Sequence, residues 1–111
     1  MANHQTIGEI TVEDLKQRLD KGEKTFILDV RNPEEFQICT IPGSYLLPLP
    51  ELAKCVAELP KDQEMVVHCK SGMRSAKAIA FLQGQGFGTL LNLKGGILAW
   101  ADKIDRTMPK Y

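Results

Sequence analysis

The 111-residue chain reads as an α/β protein, a parallel sheet with helices on both faces. Three observations predict this. Short β-rich apolar runs of about five residues alternate with helical stretches from end to end, as crossover-connected parallel strands require. Two of the runs, TFILDV and EMVVHC, are almost continuously hydrophobic, the pattern of strands covered on both faces. The second of them stops at Cys69, enters a short glycine-containing loop and leads into a helix. Ligands in open parallel sheets are held at such strand ends.

In chain order, ITVEDLKQRLDKG places Thr11 three residues before Asp14, carries Val12, Leu15 and Leu19 at helical spacing and stops at Gly22, predicting a surface helix. TFILDV (25–30) is a strand ending in a polar Asp-Val-Arg corner. Pro33 after Asn32 starts a one-turn helix, Pro42-Gly43 makes a turn, and Tyr45 to Leu47 forms a short strand. Pro48 and Pro50 close that strand and lead into a helix over 51–59. EMVVHC is the next strand and SAKAIAFLQGQG the next helix. Its Ala76, Ala78, Ile79, Ala80, Phe81 and Leu82 lie almost all round, predicting deep burial. TLLNL and GILAWADKI complete the alternation. No linker, repeat or low-complexity segment interrupts it, so one domain is expected over 8–108, with 1–7 as a leader and 109–111 as a C-terminal tail.

Composition excludes several function classes. Lys plus Arg and Asp plus Glu both total 14, with no block of like charge, which argues against nucleic acid or an anionic membrane surface as partner. No apolar run approaches the ~20 residues of a membrane span, and MANHQTIGEI has neither the basic start nor the apolar middle of a secretory signal. Cys39, Cys55 and Cys69 are odd in number and widely spaced, which fits neither a disulfide framework nor a zinc site and points to a reducing, cytoplasmic setting. With His4 and His68 the only histidines, no metal centre is expected. No other cofactor is expected either, since neither a GxGxxG nor a P-loop motif is present.

The chemistry points to the segment VVHCKSGMRSA (66–76). If the backbone from Lys70 to Ser75 curls round the Cys69 sulfur, its N–H groups converge into an anion-holding nest reinforced by the helix dipole. Such donors favour thiolate over thiol. Lys70 and Arg74 add positive charge at the rim, Gly72 permits an unusual backbone angle, and Ser75 is placed to cap the helix. Ser71 and Met73 complete the loop. The plainer reading is a buried core cysteine, and it holds for Cys55 among Leu52, Val56 and Leu59. Cys69 instead leaves an apolar run for a polar loop, the setting of a reactive thiol. Strand neighbours project to opposite faces, so His68 is structural and no histidine is left as general base. That points away from acyl hydrolysis and towards chemistry for which a pre-formed thiolate suffices.

On ILDVRNPEEF (27–36), IPGS (41–44), HCKSGMRSA (68–76) and LKGGILAW (93–100), in this order, the chain resembles the rhodanese sulfurtransferase family from about Ile10 to Ile104. The resemblance implies a five-stranded parallel sheet flanked by helices on both faces, a three-layer rhodanese-like fold, with Cys69 carrying transferable sulfur as a persulfide. In that superfamily a loop of six residues, here Cys69 to Arg74, goes with sulfur transfer. The phosphatase and arsenate reductase relatives use a loop one residue longer. Asp29 and Arg31 match supporting positions, with a structural ion pair at a strand end as the other reading. Gly95-Gly96 and Trp100 read as a tight turn and packing.

The loop and the C-terminal stretch look most like the rhodanese domain attached to MoeB-type adenylating enzymes of the molybdopterin and thiamine pathways. This implies thiosulfate or a cysteine desulfurase persulfide as sulfur donor, a ubiquitin-like sulfur-carrier protein as acceptor, and an adenylating domain in a longer protein. Where the family often has Gly-His before IPG, this chain has Cys39-Thr40. Cys39 is then either packing or a resolving thiol. A long-loop phosphatase or arsenate reductase, and a non-catalytic rhodanese-like binding module, are the competing readings.

Overall fold

Strands that are apolar on both sides need a helix above and a helix below, and the chain supplies them by crossing over after each strand. The computed structural model describes residues 6–111. Its elements are β1 (Thr6–Ile10), α1 (Val12–Asp20), β2 (Phe26–Asp29), α2 (Pro33–Ile38), β3 (Ser44–Leu46), α3 (Leu52–Cys55), β4 (Met65–His68), α4 (Met73–Gly84), β5 (Thr89–Leu93) and α5 (Gly96–Lys103). The five strands form one sheet in the order β1-β5-β4-β2-β3, and every pair is parallel.

β2 and β4 sit inside the sheet, and their registers align Asp29 with His68. Alternation sends Leu28, Val30, Val67 and Cys69 into one core cluster, with Ala78, Ile79, Leu82, Phe87 and Leu90. Ile27 and Val66 enter the other, with Leu15, Ile41, Leu93, Ile97 and Trp100. The predicted three-layer α/β arrangement is therefore the observed one. Thr11 caps α1 as expected, accepting a hydrogen bond from the Asp14 N–H at 3.1 Å.

Several sequence expectations change. β1 begins at Thr6, inside the stretch expected to be a leader, and pairs with β5; Met1 to Gln5 lie outside the described residues. The helix expected over 51–59 is broken: only Leu52–Cys55 is α-helical, between 3-10 turns at Leu49–Glu51 and Val56–Glu58. Leu52 is buried, while Cys55 is half-buried against the first core cluster. α4 is not buried all round. Ala78, Ile79 and Leu82 face the core, but Ala76 and Ala80 are exposed, since one flank of this helix has no covering layer. The segment 109–111 is more than a tail, because Tyr111 packs against the second core cluster.

Candidate active site

β4 delivers Cys69 to the carboxyl edge of the sheet, and the next three residues turn sharply enough for α4 to begin at Met73. Gly72 makes that turn with φ of 131°, a conformation L side chains rarely adopt. It is also the residue that caps α4. This corrects the expectation for Ser75, which lies inside the first turn rather than at the cap and is fully buried. From there Ser75 faces the sulfur: its N–H donates to Cys69 Sγ at 3.4 Å, and its Oγ lies 3.4 Å from the same atom. The Gly72 N–H donates to Sγ at 3.1 Å.

Cys69 is only 1% exposed, so the loop that surrounds it controls access to its sulfur. Burial alone pushes this thiol up. Hydrogen bonds from the Ser75 hydroxyl and from the N–H groups of Ser75, Gly72 and Ser71 outweigh it and hold the thiol below its ordinary value. N–H groups of the loop thus converge on the sulfur.

The outer side of the loop is held as firmly as the inner. A backbone that turns its N–H groups inward turns carbonyls outward, and α5 receives them: the Ile97 N–H donates to Cys69 O at 3.0 Å and the Leu98 N–H to Lys70 O at 3.2 Å. This approach requires glycine. A Cβ at Gly96 would lie 2.4 Å from Lys70 O and 2.7 Å from Cys69 O, and Gly95 and Gly96 both have positive φ. The Gly-Gly pair is a tight turn, as expected, but one that butts against the Cys69 loop.

The rim differs from the expectation of free positive charge. Arg74 is paired bidentately with Glu35 of α2, at 2.6 and 2.9 Å, which keeps the guanidinium charged and pulls the Glu35 carboxyl down to about 2. Tyr111 joins them, donating from its hydroxyl to Glu35 Oε2 at 2.7 Å. Burial and that carboxylate hold its phenol up at about 12. The Lys70 ammonium sits 4.7 Å from the Tyr111 ring centroid. Ser71 is exposed, and Met73 is 76% exposed and points away from the sulfur's buried surroundings.

Asp29 and Arg31 form a fully buried ion pair, with Arg31 Nη2 donating to Asp29 Oδ2 at 2.7 Å and Nε to Oδ1 at 3.0 Å. Arg31 also donates to Cys39 O at 2.8 Å and to the Tyr111 hydroxyl at 3.0 Å. The pair thus ties the α2 end, including the Cys39 sulfur at 3.9 Å from Arg31 Nη1, to the rim and leaves the Cys69 sulfur to the loop. His68 is fully buried on the same face, its Nδ1 3.4 Å from Cys69 O and its Nε2, without a hydrogen-bond partner, 3.7 Å from Asp29 Oδ2. Burial pushes it below its ordinary value and keeps it neutral, so it is structural, as predicted. Cys39 lies in the second core cluster and Cys69 in the first, on opposite faces of the sheet, which leaves Cys39 its packing role. Among the described residues, no cluster of three or more His, Cys, Asp or Glu residues is placed to hold a metal, and no helix is long and apolar enough to cross a membrane.

Glu35, Asn92 and Tyr111 were not singled out by the sequence. Glu35 lies inside the quoted RNPEEF motif, and Asn92 is the one amide in the apolar run TLLNL, a signal that was available; Tyr111 carried none.

The sequence model of the Rhodanese-like domain matches residues 11–103. The chain belongs to this family. A protein named Sulfurtransferase from Allochromatium vinosum is 43% identical over 95 residues, covering 86% of this chain and 89% of the relative. The protein named Probable adenylyltransferase/sulfurtransferase MoeZ from Mycobacterium tuberculosis is 40% identical over 104 residues, covering 92% of this chain but 26% of its own length. The chain thus spans about a quarter of that relative. Among solved structures, a rhodanese-like domain protein from Staphylococcus aureus superposes with a TM-score of 0.79 at 30% identity, covering 90% of this chain and 95% of the other. The five-stranded sheet is therefore the rhodanese-like fold.

Proposed function

We propose that this rhodanese-like chain is a sulfurtransferase in which Cys69 carries sulfane sulfur as a persulfide. One observation carries the reading: a buried cysteine sulfur receives N–H donors from Gly72 and Ser75 at 3.1 and 3.4 Å, an environment made for an anionic sulfur at a strand end. The relatives named as sulfurtransferases support it.

The reaction needs no general base. Cys69 thiolate attacks the outer sulfur of thiosulfate, forming a new S–S bond as the bond to the sulfite sulfur breaks, and sulfite leaves with the electron pair. The resulting Cys69 persulfide is anionic at its outer sulfur. A nucleophile such as cyanide or a thiolate then attacks that sulfur, and the Cys69 thiolate is restored. The loop N–H groups act in both steps by stabilising negative charge, the preorganised electrostatic contribution that is often the largest in catalysis. Lys70, Ser71, Gly72, Met73, Arg74 and Ser75 form the loop that holds the anion, and Asp29 and Arg31 support it from beneath.

Because Arg74 is already paired with Glu35, the rim offers less free positive charge than a site built for small dianions. This favours a protein persulfide, such as that of a cysteine desulfurase, over free thiosulfate as donor. The likeness to MoeZ extends the reading to a ubiquitin-like sulfur-carrier acceptor and an adjoining adenylating domain. Three free cysteines fit a reducing compartment such as the cytoplasm.

Intact-mass spectrometry before and after incubation with thiosulfate tests the proposal. A dithiothreitol-reducible gain of one sulfur atom is expected in the wild type and not in Cys69→Ser. A Cys69→Ser protein that still transfers sulfur to cyanide at the wild-type rate overturns it. No gain from thiosulfate, followed by loading from a cysteine desulfurase, assigns the donor to the protein class. No gain from either source leaves a binding module.

A further inference from the structure

The Ser75 hydroxyl has one proton and three acceptors in reach. Its Oγ lies 2.7 Å from Asn92 Oδ1, 3.1 Å from Gly72 O and 3.4 Å from Cys69 Sγ. Ser75 is fully buried, so protein atoms decide where that proton points. Asn92 lies on β5 opposite Val67, two residues before Cys69, and so shares the Cys69 face of the sheet. Its amide is oriented by a second contact, Nδ2 donating to Gly72 O at 3.4 Å, which turns Oδ1 towards Ser75. A flipped amide would set two carbonyl oxygens against each other.

We propose that Asn92 is a positioning residue for the Cys69 sulfur: its amide oxygen accepts the hydrogen bond of the Ser75 hydroxyl whenever Sγ is uncharged and loses it to Sγ when Sγ is anionic. The proposal rests on reading Cys69 as the sulfur-carrying nucleophile. In the free thiol, and again after sulfur uptake when Sγ is the inner and uncharged sulfur of the persulfide, the hydroxyl points to Asn92. In the thiolate, the full negative charge outcompetes a neutral amide oxygen, and the hydroxyl turns to Sγ beside the Gly72 and Ser75 N–H donors. No covalent bond changes in this turn; only the hydroxyl torsion does. Asn92 therefore favours both uncharged states of Sγ, the thiol and the inner sulfur of the persulfide, over the thiolate.

The test is the pH dependence of Cys69 alkylation by iodoacetamide in the reduced protein, followed by peptide mass spectrometry to separate Cys69 from Cys39 and Cys55. Asn92→Leu, which keeps the branching at Cγ, and Asn92→Ala, a truncation of a half-buried side chain, both remove the acceptor. Each is expected to shift the profile to lower pH, with alkylation on its acid side roughly threefold to tenfold faster, the worth of one neutral hydrogen bond. Ser75→Ala shifts it the other way, and adding Asn92→Ala to Ser75→Ala changes nothing further. Slower alkylation in the Asn92 variants, or an Asn92 effect that survives in the Ser75→Ala background, overturns the proposal. So does failure of both Asn92 variants to fold, which assigns the residue to folding. The readout needs no sulfur donor, so a failure of persulfide loading and a failure of this cycle are separate results.

Discussion

Two helix N-termini meet the same loop and use their free N–H groups in opposite ways. At the start of α4, Ser75 and its cap Gly72 turn their N–H groups onto the Cys69 sulfur. At the start of α5, Ile97 and Leu98 turn theirs onto the carbonyls of Cys69 and Lys70. The first arrangement favours charge on the sulfur; the second fixes the shape that makes the first possible. A ring of inward N–H groups leaves outward carbonyls that need partners when buried. An anion nest is thus built from behind as much as from within.

The two glycines at these helix starts sharpen the contrast. Gly72 has a strained φ of 131° but open space where a Cβ would stand, whereas a Cβ at Gly96 would meet the backbone of Lys70 and Cys69 at 2.4 to 2.7 Å. Gly96→Ala has to move backbone, so it carries the largest expected effect, a loss of about 3 kcal/mol or more, since overpacking adds to the strain of positive φ. Gly72→Ala meets only local strain, about 1–3 kcal/mol. Urea denaturation of both variants gives the ranking, and alkylation of Cys69 reports whether the nest survives. A Gly72→Ala loss larger than that of Gly96→Ala would show that α5 is not the buttress.

This contrast also explains what was legible beforehand. The α/β alternation, the strand end at Cys69 and the N–H nest follow from local pattern, because apolar runs and a glycine-containing loop declare themselves within a few residues. What stayed hidden depends on distant segments meeting. Ser75 looked like a cap because Met73 and Arg74 read as loop, while the tight turn at Gly72 starts the helix earlier. Arg74 looked like a free cation because nothing in a linear reading brings Glu35 to it, 39 residues away. β1 was missed because TIGEI has little β-rich apolar character of its own and becomes a strand only through the exposed edge that β5 offers.

Glu35 tests whether the rim, unlike the buttress, is a charge device. Its carboxyl is held at about 2, below its ordinary 4.5, first by the Arg74 hydrogen bonds. A depressed carboxyl contributes stability that is present above the ordinary value and is lost as pH falls towards the folded value. Glu35→Gln is therefore expected to lower stability by about 1.5–3 kcal/mol at neutral pH, the range for hydrogen bonds to charged groups. It should also flatten the acid limb between the two values. Denaturation midpoints measured across that range decide it, and an unchanged acid limb would place the titrating carboxylate elsewhere.

The smallest effect belongs to His68, which reinforces the Cys69 carbonyl from the opposite face of the sheet. Burial pushes this imidazole below its ordinary 6.5, and neighbouring Asp29 only partly offsets that. The folded protein keeps it neutral while the unfolded chain takes up a proton, so stability falls as pH drops below about 6.5, by at most about 1.4 kcal/mol per pH unit. His68→Phe should remove that slope. At neutral pH it should lose only about 0.5–1.5 kcal/mol, the worth of one neutral hydrogen bond, because the Ile97 N–H still holds the same carbonyl. Urea denaturation as a function of pH measures both quantities. A neutral-pH loss as large as that of Gly96→Ala would mean that His68 and not α5 fixes the loop, reversing the order in which the two supports act on it.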